Sequence, residues 1–184
     1  MNSCPWGLNK ANLAKFHEEE WGRPVHEDNK LFEFLSLSVL AAGLSYETIL
    51  DKRDDLCLAF HDFEIDKVAQ MSPEEIERIL CDKKMIRNKK KISAVVCNAT
   101  VSQKMRANGQ TLDDFFWSYT GFRTIDNKWL HAEMIPEQTL LSRKISDEMH
   151  ERGFIMVGPV LIYSFLETVG IVNDHLIDCQ ARIS

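Results

Sequence analysis

Long apolar runs are missing from this chain. No stretch approaches the roughly eighteen consecutive apolar residues that a membrane-spanning helix needs, and no charged-then-apolar leader opens it. No membrane partner is therefore expected. Cysteine is sparse and unpatterned: five residues, an odd number, suit a reducing cytoplasmic compartment better than a disulfide-stapled secreted scaffold. At 184 residues the chain can bury a real core without such staples, and the length suits one domain over residues 1–184. Basic charge is not in excess. A formal net charge of -6 argues against broad, non-specific nucleic-acid binding. Alternating apolar and polar segments, internal repeats and low-complexity tracts are absent too, so no strand is predicted and the fold class is all-α.

What is present is a series of helix starts and stops. Asn12 or a neighbour can cap a segment through Phe16, His17 and Glu20. Leu31 to Ala42 is strongly apolar and stops at Gly43, and Ser45 can cap the segment that follows. Ser72-Pro73-Glu74-Glu75 combines an N-cap Ser, a Pro at the first helical position and a Glu three residues after the Ser. A new helix starts near Asn88 and carries Ile92, Val95, Val96 and Ala99 at helical spacing, to end at Asn108-Gly109. Thr111 caps a short helix with Phe115 and Phe116, and residues 120–138 read as a long irregular connection. Further helices are predicted from about Leu141 to Glu151, closed by Gly153, and from Val160 to Val169, opened by Gly158-Pro159. Cys57, Cys81 and Cys97 fall within apolar helical patterns and read as core thiols.

Two clusters carry chemistry. Lys83, Lys84, Arg87, Lys89, Lys90 and Lys91 place six cations in nine residues with no acid among them. An isolated charge run usually marks a solvated face. This one joins two predicted helices, so the unpaired N–H groups opening the second helix and the adjacent lysines offer a seat for phosphate. That is the logic of a helix-hairpin-helix, here over about residues 73–107 and without a Gly-rich turn. The second cluster is Cys4, His17, His175 and Cys179. The latter two are His-x3-Cys, a spacing that puts both on one helix face, and two thiolates with two imidazoles make a closed tetrahedral zinc set. The same residues could be unrelated buried thiols and surface imidazoles, and spacing alone leaves both readings open.

Several short blocks, in order, carry a resemblance. They are Cys4-Pro5-Trp6, Phe16-His17 with Glu20-Trp21-Gly22, Ala42-Gly43-Leu44-Ser45, Ile86-Arg87-Asn88 with Lys91-Ile92, and Phe116-Trp117-Ser118. Arg152-Gly153-Phe154, Val157-Gly158, Tyr163-Ser164-Phe165, Gly170 and Val172-Asn173-Asp174-His175 complete them. In these blocks the chain resembles the DNA-3-methyladenine glycosylase I family over nearly its whole length. The resemblance implies a base-excision enzyme that flips an alkylated purine out of double-stranded DNA and hydrolyses its N-glycosidic bond. It also implies a structural zinc on Cys4, His17, His175 and Cys179. It puts the DNA-binding hairpin on Arg87, Asn88, Lys89, Lys90 and Lys91, and the aromatic base pocket on Trp6, Phe16, Trp21 and Tyr46. A cytoplasmic monomer is expected.

One departure bears on activity. Ser38 stands where the family has a pocket glutamate, and a serine supplies neither charge nor a general base at neutral pH. Ala41, Tyr46 and Phe16 also depart from the family pattern around it. Ser38 shares a helix face with Leu31, Leu35 and Ala42, so it reads either as a small buried residue or as a retained polar contact to a base. The catalytic residue is thus left open, with Glu47 the acid considered in its place. Two functions stand: excision of alkylated purines such as 3-methyladenine, or a catalytically impaired or substrate-shifted relative that binds damaged DNA.

Overall fold

Cap signals in the sequence become helix ends in the fold. The computed structural model describes residues 4–8 and 10–182. Among them run α1 (Ala11–Glu19), α2 (Asp28–Ala41), α3 (Tyr46–Asp51), α4 (Arg53–Ala59) and α5 (Ile65–Ala69). Then come α6 (Pro73–Cys81), α7 (Lys89–Ala107), α8 (Leu112–Ser118), α9 (Leu140–Glu151) and α10 (Pro159–Thr168). Ser72 and Glu75 form a reciprocal capping box on α6, and Thr111 with Asp114 forms another on α8. Ser45 and Asn88 each accept a backbone N–H at the start of α3 and α7.

The departures have local causes. Asn12 lies inside α1, its side chain taken by the Leu13 N–H, and Lys10 holds the N-cap without a side-chain bond. The Leu31 segment starts earlier, at Asp28, because the Glu27 carboxylate accepts from the N–H groups of Asn29 and Lys30. The irregular stretch after α8 contains β1 (Ile125–Asp126), which pairs in parallel with β2 (Val172–Asn173). Two-residue strands are too short to show alternation. Cys81 is exposed at the end of α6, where Ile79 is that helix's buried residue, while Cys57 and Cys97 are only half-buried. The core-thiol reading therefore fails for Cys81.

α2 is the axis of the core. Leu31, Phe32, Phe34, Leu35, Leu37, Val39 and Leu40 are buried round its whole circumference, as expected of a helix enclosed by others. α3, α7, α8 and α10 pack against it. α10 contributes Ile162, Tyr163, Phe165 and Leu166 to the same core. Its end turns at Gly170, which has φ +72° and lies so close to the Arg23–Pro24 peptide that a Cβ would sit 2.5 Å from backbone atoms.

A cation inside this framework joins three elements. Arg53, opening α4, donates to both carboxylate oxygens of Glu20 at 2.7 and 2.8 Å and to Glu33 of α2 at 2.8 Å. Lys30 adds a 2.8 Å bond to Glu33. Burial by itself would raise the Glu20 carboxyl, but the hydrogen bonds and charge of Arg53 outweigh it and hold Glu20 below the usual carboxylate range. Removing one member of such a pair leaves an uncompensated charge, so Arg53→Met should cost about 3–5 kcal/mol in denaturant unfolding. The Glu20 contribution is present above its unfolded-state pKa and is lost as pH falls through the lower folded value. The wild type should therefore lose stability on acidification below about pH 4.5, and Arg53→Met should show a shallower loss in the same titration.

Candidate active cleft and metal centre

The fold draws Cys4, His17, His175 and Cys179 into one buried group whose ligand atoms all lie within 4.8 Å of one another. Cys4 precedes a 3-10 turn, Pro5–Leu8, and His17 lies on α1. His175 and Cys179 stand on a short turn rather than a helix, the two forms their spacing left open. They follow β2 on a tight turn closed by the Cys179 N–H on the Leu176 carbonyl at 2.8 Å. Pairing of β2 with β1 holds the segment extended, and the turn then brings the two ligands round.

The donor geometry suits a tetrahedral ion. Cys179 Sγ lies 3.5 Å from His17 Nε2 and 3.4 Å from His175 Nδ1, and Cys4 Sγ lies 3.8 Å from that same Nδ1. Metal–ligand bonds of about 2.3 Å to sulfur and about 2.0 Å to nitrogen give sulfur–nitrogen edges of roughly 3.6 Å. His175 Nε2 meets the Trp21 carbonyl at 3.1 Å, which places the N–H there and leaves Nδ1 as the ligand atom. Burial pushes the Cys4 thiol up to about 12, and it takes His175 down to about 4. Neutral imidazoles are ready to ligate, whereas the Cys4 thiol needs a cation before it gives up its proton. Gly7 leaves room for this packing, since a Cβ there would sit 2.7 Å from His17 Cγ.

The aromatic cleft grows from the same group. Trp21 packs edge-on against His175 at 4.5 Å and stacks with His17 at 5.9 Å, and Trp6 meets Trp21 at 5.0 Å. Phe16 lies 5.1 Å from Tyr46. Trp6, Phe16, Trp21 and Tyr46 line one cleft of about 750 Å³ with one face of α10: Val160, Tyr163, Ser164, Glu167 and Thr168. Those five recur at helical spacing, while Ile162, Phe165 and Leu166 turn to the core. Trp21 is thus both a packed aromatic and a wall of the cleft. The Tyr46 hydroxyl is buried without a hydrogen-bond partner, and burial pushes its pKa up.

Ser38 stands apart from this cleft. It is buried, and its hydroxyl donates to the Phe34 carbonyl at 2.8 Å, a back-bond within α2. It lines a neighbouring recess of about 640 Å³ with Ala41, Ala42 and Leu44, joined to the cleft through Tyr46, Val160 and Ser164. Glu47 does line the cleft, but Lys10 pairs with it at 2.5 Å. The acid that sequence reasoning missed is Glu167. It is the lone charged residue in the apolar run Val160–Val169, and that isolation was the available signal. Glu167 shares a hydrogen bond with Asp174, and burial together with the Asp174 charge holds its carboxyl well above the usual range. Asp174 accepts from Asn127 at 2.7 Å, Trp129 at 2.8 Å and Tyr163 at 2.6 Å.

Arg87, Asn88, Lys89 and Lys90 are exposed at the turn between α6 and α7. Lys91 is the exception. It is buried, and its ammonium donates to the Leu40 carbonyl in the last turn of α2 at 2.7 Å. Its charge is turned inward because α7 packs on α2, which removes Lys91 from the surface cation set.

Helices enclosing one buried helix, chain ends drawn into a Cys/His group, and an aromatic cleft with a half-buried acid define a class: a mostly helical protein that can take a flat aromatic ligand and hold a metal ion apart from it. Comparison with known proteins specifies the class. A sequence model described as methyladenine glycosylase matches residues 6–182. DNA-3-methyladenine glycosylase from Haemophilus influenzae is 34% identical over 181 residues, 98% of each chain. DNA-3-methyladenine glycosylase 1 from Escherichia coli is 36% identical over 179 residues, 97% of this chain and 96% of that one. The solved 3-methyladenine DNA glycosylase I from Staphylococcus aureus, a study of 3-methyladenine recognition, superposes with a TM-score of 0.94 at 34% identity, covering 100% of this chain and 98% of that one. The chain belongs to the methyladenine glycosylase family.

Cobalt offers a direct check on the ligand set. Co(II)-loaded protein should show tetrahedral d–d bands and thiolate-to-cobalt charge transfer. Cys4→Ser should weaken the charge-transfer band, and a spectrum unchanged by that substitution would remove Cys4 from the set.

Proposed function

We propose that this protein is a base-excision repair DNA glycosylase that hydrolyses the N-glycosidic bond of alkylated purines such as 3-methyladenine in double-stranded DNA. The observation that carries the reading is the cleft of Trp6, Phe16, Trp21 and Tyr46 in a chain of this family. A base inside a duplex must be flipped out to reach such a cleft. N3-methylated adenine in DNA is cationic, so it leaves without being protonated first. Aromatic faces suit that cation, with stacking worth roughly 1–3 kcal/mol per base. As the bond breaks, the sugar becomes oxocarbenium-like, which favours nearby negative charge and a positioned water.

The basic turn between α6 and α7 supplies the duplex contact in this reading, as a helix-hairpin-helix over about residues 73–107. Asn88 caps α7 and the first N–H groups of that helix face outward beside Arg87, Lys89 and Lys90. Lys91 braces the turn against α2 instead. The metal is zinc in this proposal, held by Cys4, His17, His175 and Cys179. A closed four-ligand set has no open position for water, so zinc supplies structure and no catalytic step runs through it. The protein acts as a cytoplasmic monomer, a setting that five cysteines with no disulfide among them suit.

Folded, zinc-loaded protein incubated with methylated duplex DNA should release free 3-methyladenine, read by chromatography of the released bases; release no higher than in buffer would refute the proposal. Duplex affinity should fall steeply with salt. Lys89→Gln and Lys90→Gln should each flatten the log–log salt slope by about 0.9, whereas Lys91→Gln should lower the melting temperature and leave the slope unchanged.

A further inference from the structure

The cleft needs a recognition group that Ser38 cannot supply. Ser38 carries no charge, and its hydroxyl proton is committed to the Phe34 carbonyl at 2.8 Å. Of the acids lining the cleft, Glu47 is neutralised by Lys10 and Glu137 is exposed. Glu167 differs from both. It stands mid-face on α10, one turn beyond Tyr163 and flanked by Ser164 and Thr168, which line the cleft with it. Trp6, Phe16, Trp21 and Tyr46 form the aromatic part of the same wall. Among the described residues, no Lys or Arg lines this cleft.

Behind Glu167 the wall is built to hold it. Asp174 is fully buried, and Asn127, Trp129 and Tyr163 all donate to its carboxylate. Three donors stabilise Asp174 as an anion, and Glu167 is hydrogen-bonded to it. The pair thus presents a carboxyl group to the cleft with a fixed negative charge directly behind it. Such a wall favours a cationic ligand with N–H donors on its edge, and disfavours a neutral or acceptor-edged one. An N3-alkylated adenine is that ligand, with a positive ring and an exocyclic amino group.

Resting on the glycosylase reading above, we propose that Glu167 is the base-recognising carboxyl of this protein: from α10 it accepts a hydrogen bond from the exocyclic amino group of the alkylated adenine, the task that Ser38 leaves unfilled on α2. Recognition of the lesion is thereby moved from α2 to α10, and it selects for the cationic base over undamaged adenine.

The test measures Glu167→Leu beside the wild type, with free 3-methyladenine and methylated duplex DNA as probes. Loss of the hydrogen bond to the exocyclic amino group should weaken binding of the free base, read by tryptophan fluorescence, by about tenfold. Excision of 3-methyladenine should fall by a similar factor, while affinity for undamaged duplex stays at the wild-type value. An active wild type with a folded Glu167→Leu that binds and excises equally well overturns this inference and leaves the glycosylase reading standing. A folded wild type that excises nothing sinks that reading instead. If the variant does not fold, a crystal structure of the wild type with free 3-methyladenine decides. A Glu167 oxygen within hydrogen-bond distance of the amino nitrogen supports the proposal, and an amino group seated elsewhere overturns it.

Discussion

Closure of the chain ends on Cys4, His17, His175 and Cys179 is the constraint from which the cleft follows. Four ligand atoms from two distant segments share one buried site, and the aromatic wall leans directly on it. His175 contacts Trp21 both edge-on and through the Trp21 carbonyl, while Trp6 packs between His17 and Trp21. The Pro5–Leu8 turn that carries Trp6 packs on α1 beside this site. A metal ion here would act on a base only through this packing.

The second constraint is how the buried charges are separated. Arg53, Glu20 and Glu33 satisfy one another beneath Phe34, so that charge is spent on joining α1, α2 and α4. Asp174 is held by neutral donors from α10 and from the segment after β1, with no cation among those three donors. The first arrangement is structural. The second sets the electrostatic character of the cleft wall next to Glu167. The same helix face that carries Glu167 also carries Tyr163, so orientation of the acid is tied to core packing of α10.

Much of the fold was legible from residues acting on their neighbours. Ser45, Ser72 and Thr111 cap the helices they were predicted to cap, and Asn88 caps the helix predicted to start near it, because a cap bond spans only a few residues. The aromatic positions Trp6, Phe16, Trp21 and Tyr46 do come together in one cleft. Less legible were features set by distant partners. The β1–β2 ladder joins residues far apart in sequence, and it carries His175 and Cys179 on an extended segment and turn, which His-x3-Cys spacing by itself could not tell from a helix. Lys91 looked like its neighbours in the basic run but faces the end of α2.

The sequence by itself determined where several helices begin or end, which four residues could share a metal, and which family the ordered blocks resemble. Those are matters of local hydrogen bonding and residue identity. Only the tertiary structure decided which charges face the cleft. Ser38 is turned to a back-bond inside α2, Glu47 is paired with Lys10, and Glu167 stands among the aromatics with Asp174 behind it. The reason is physical: a carboxyl's environment is set by helices that cross in space, and no spacing along the chain records the crossing.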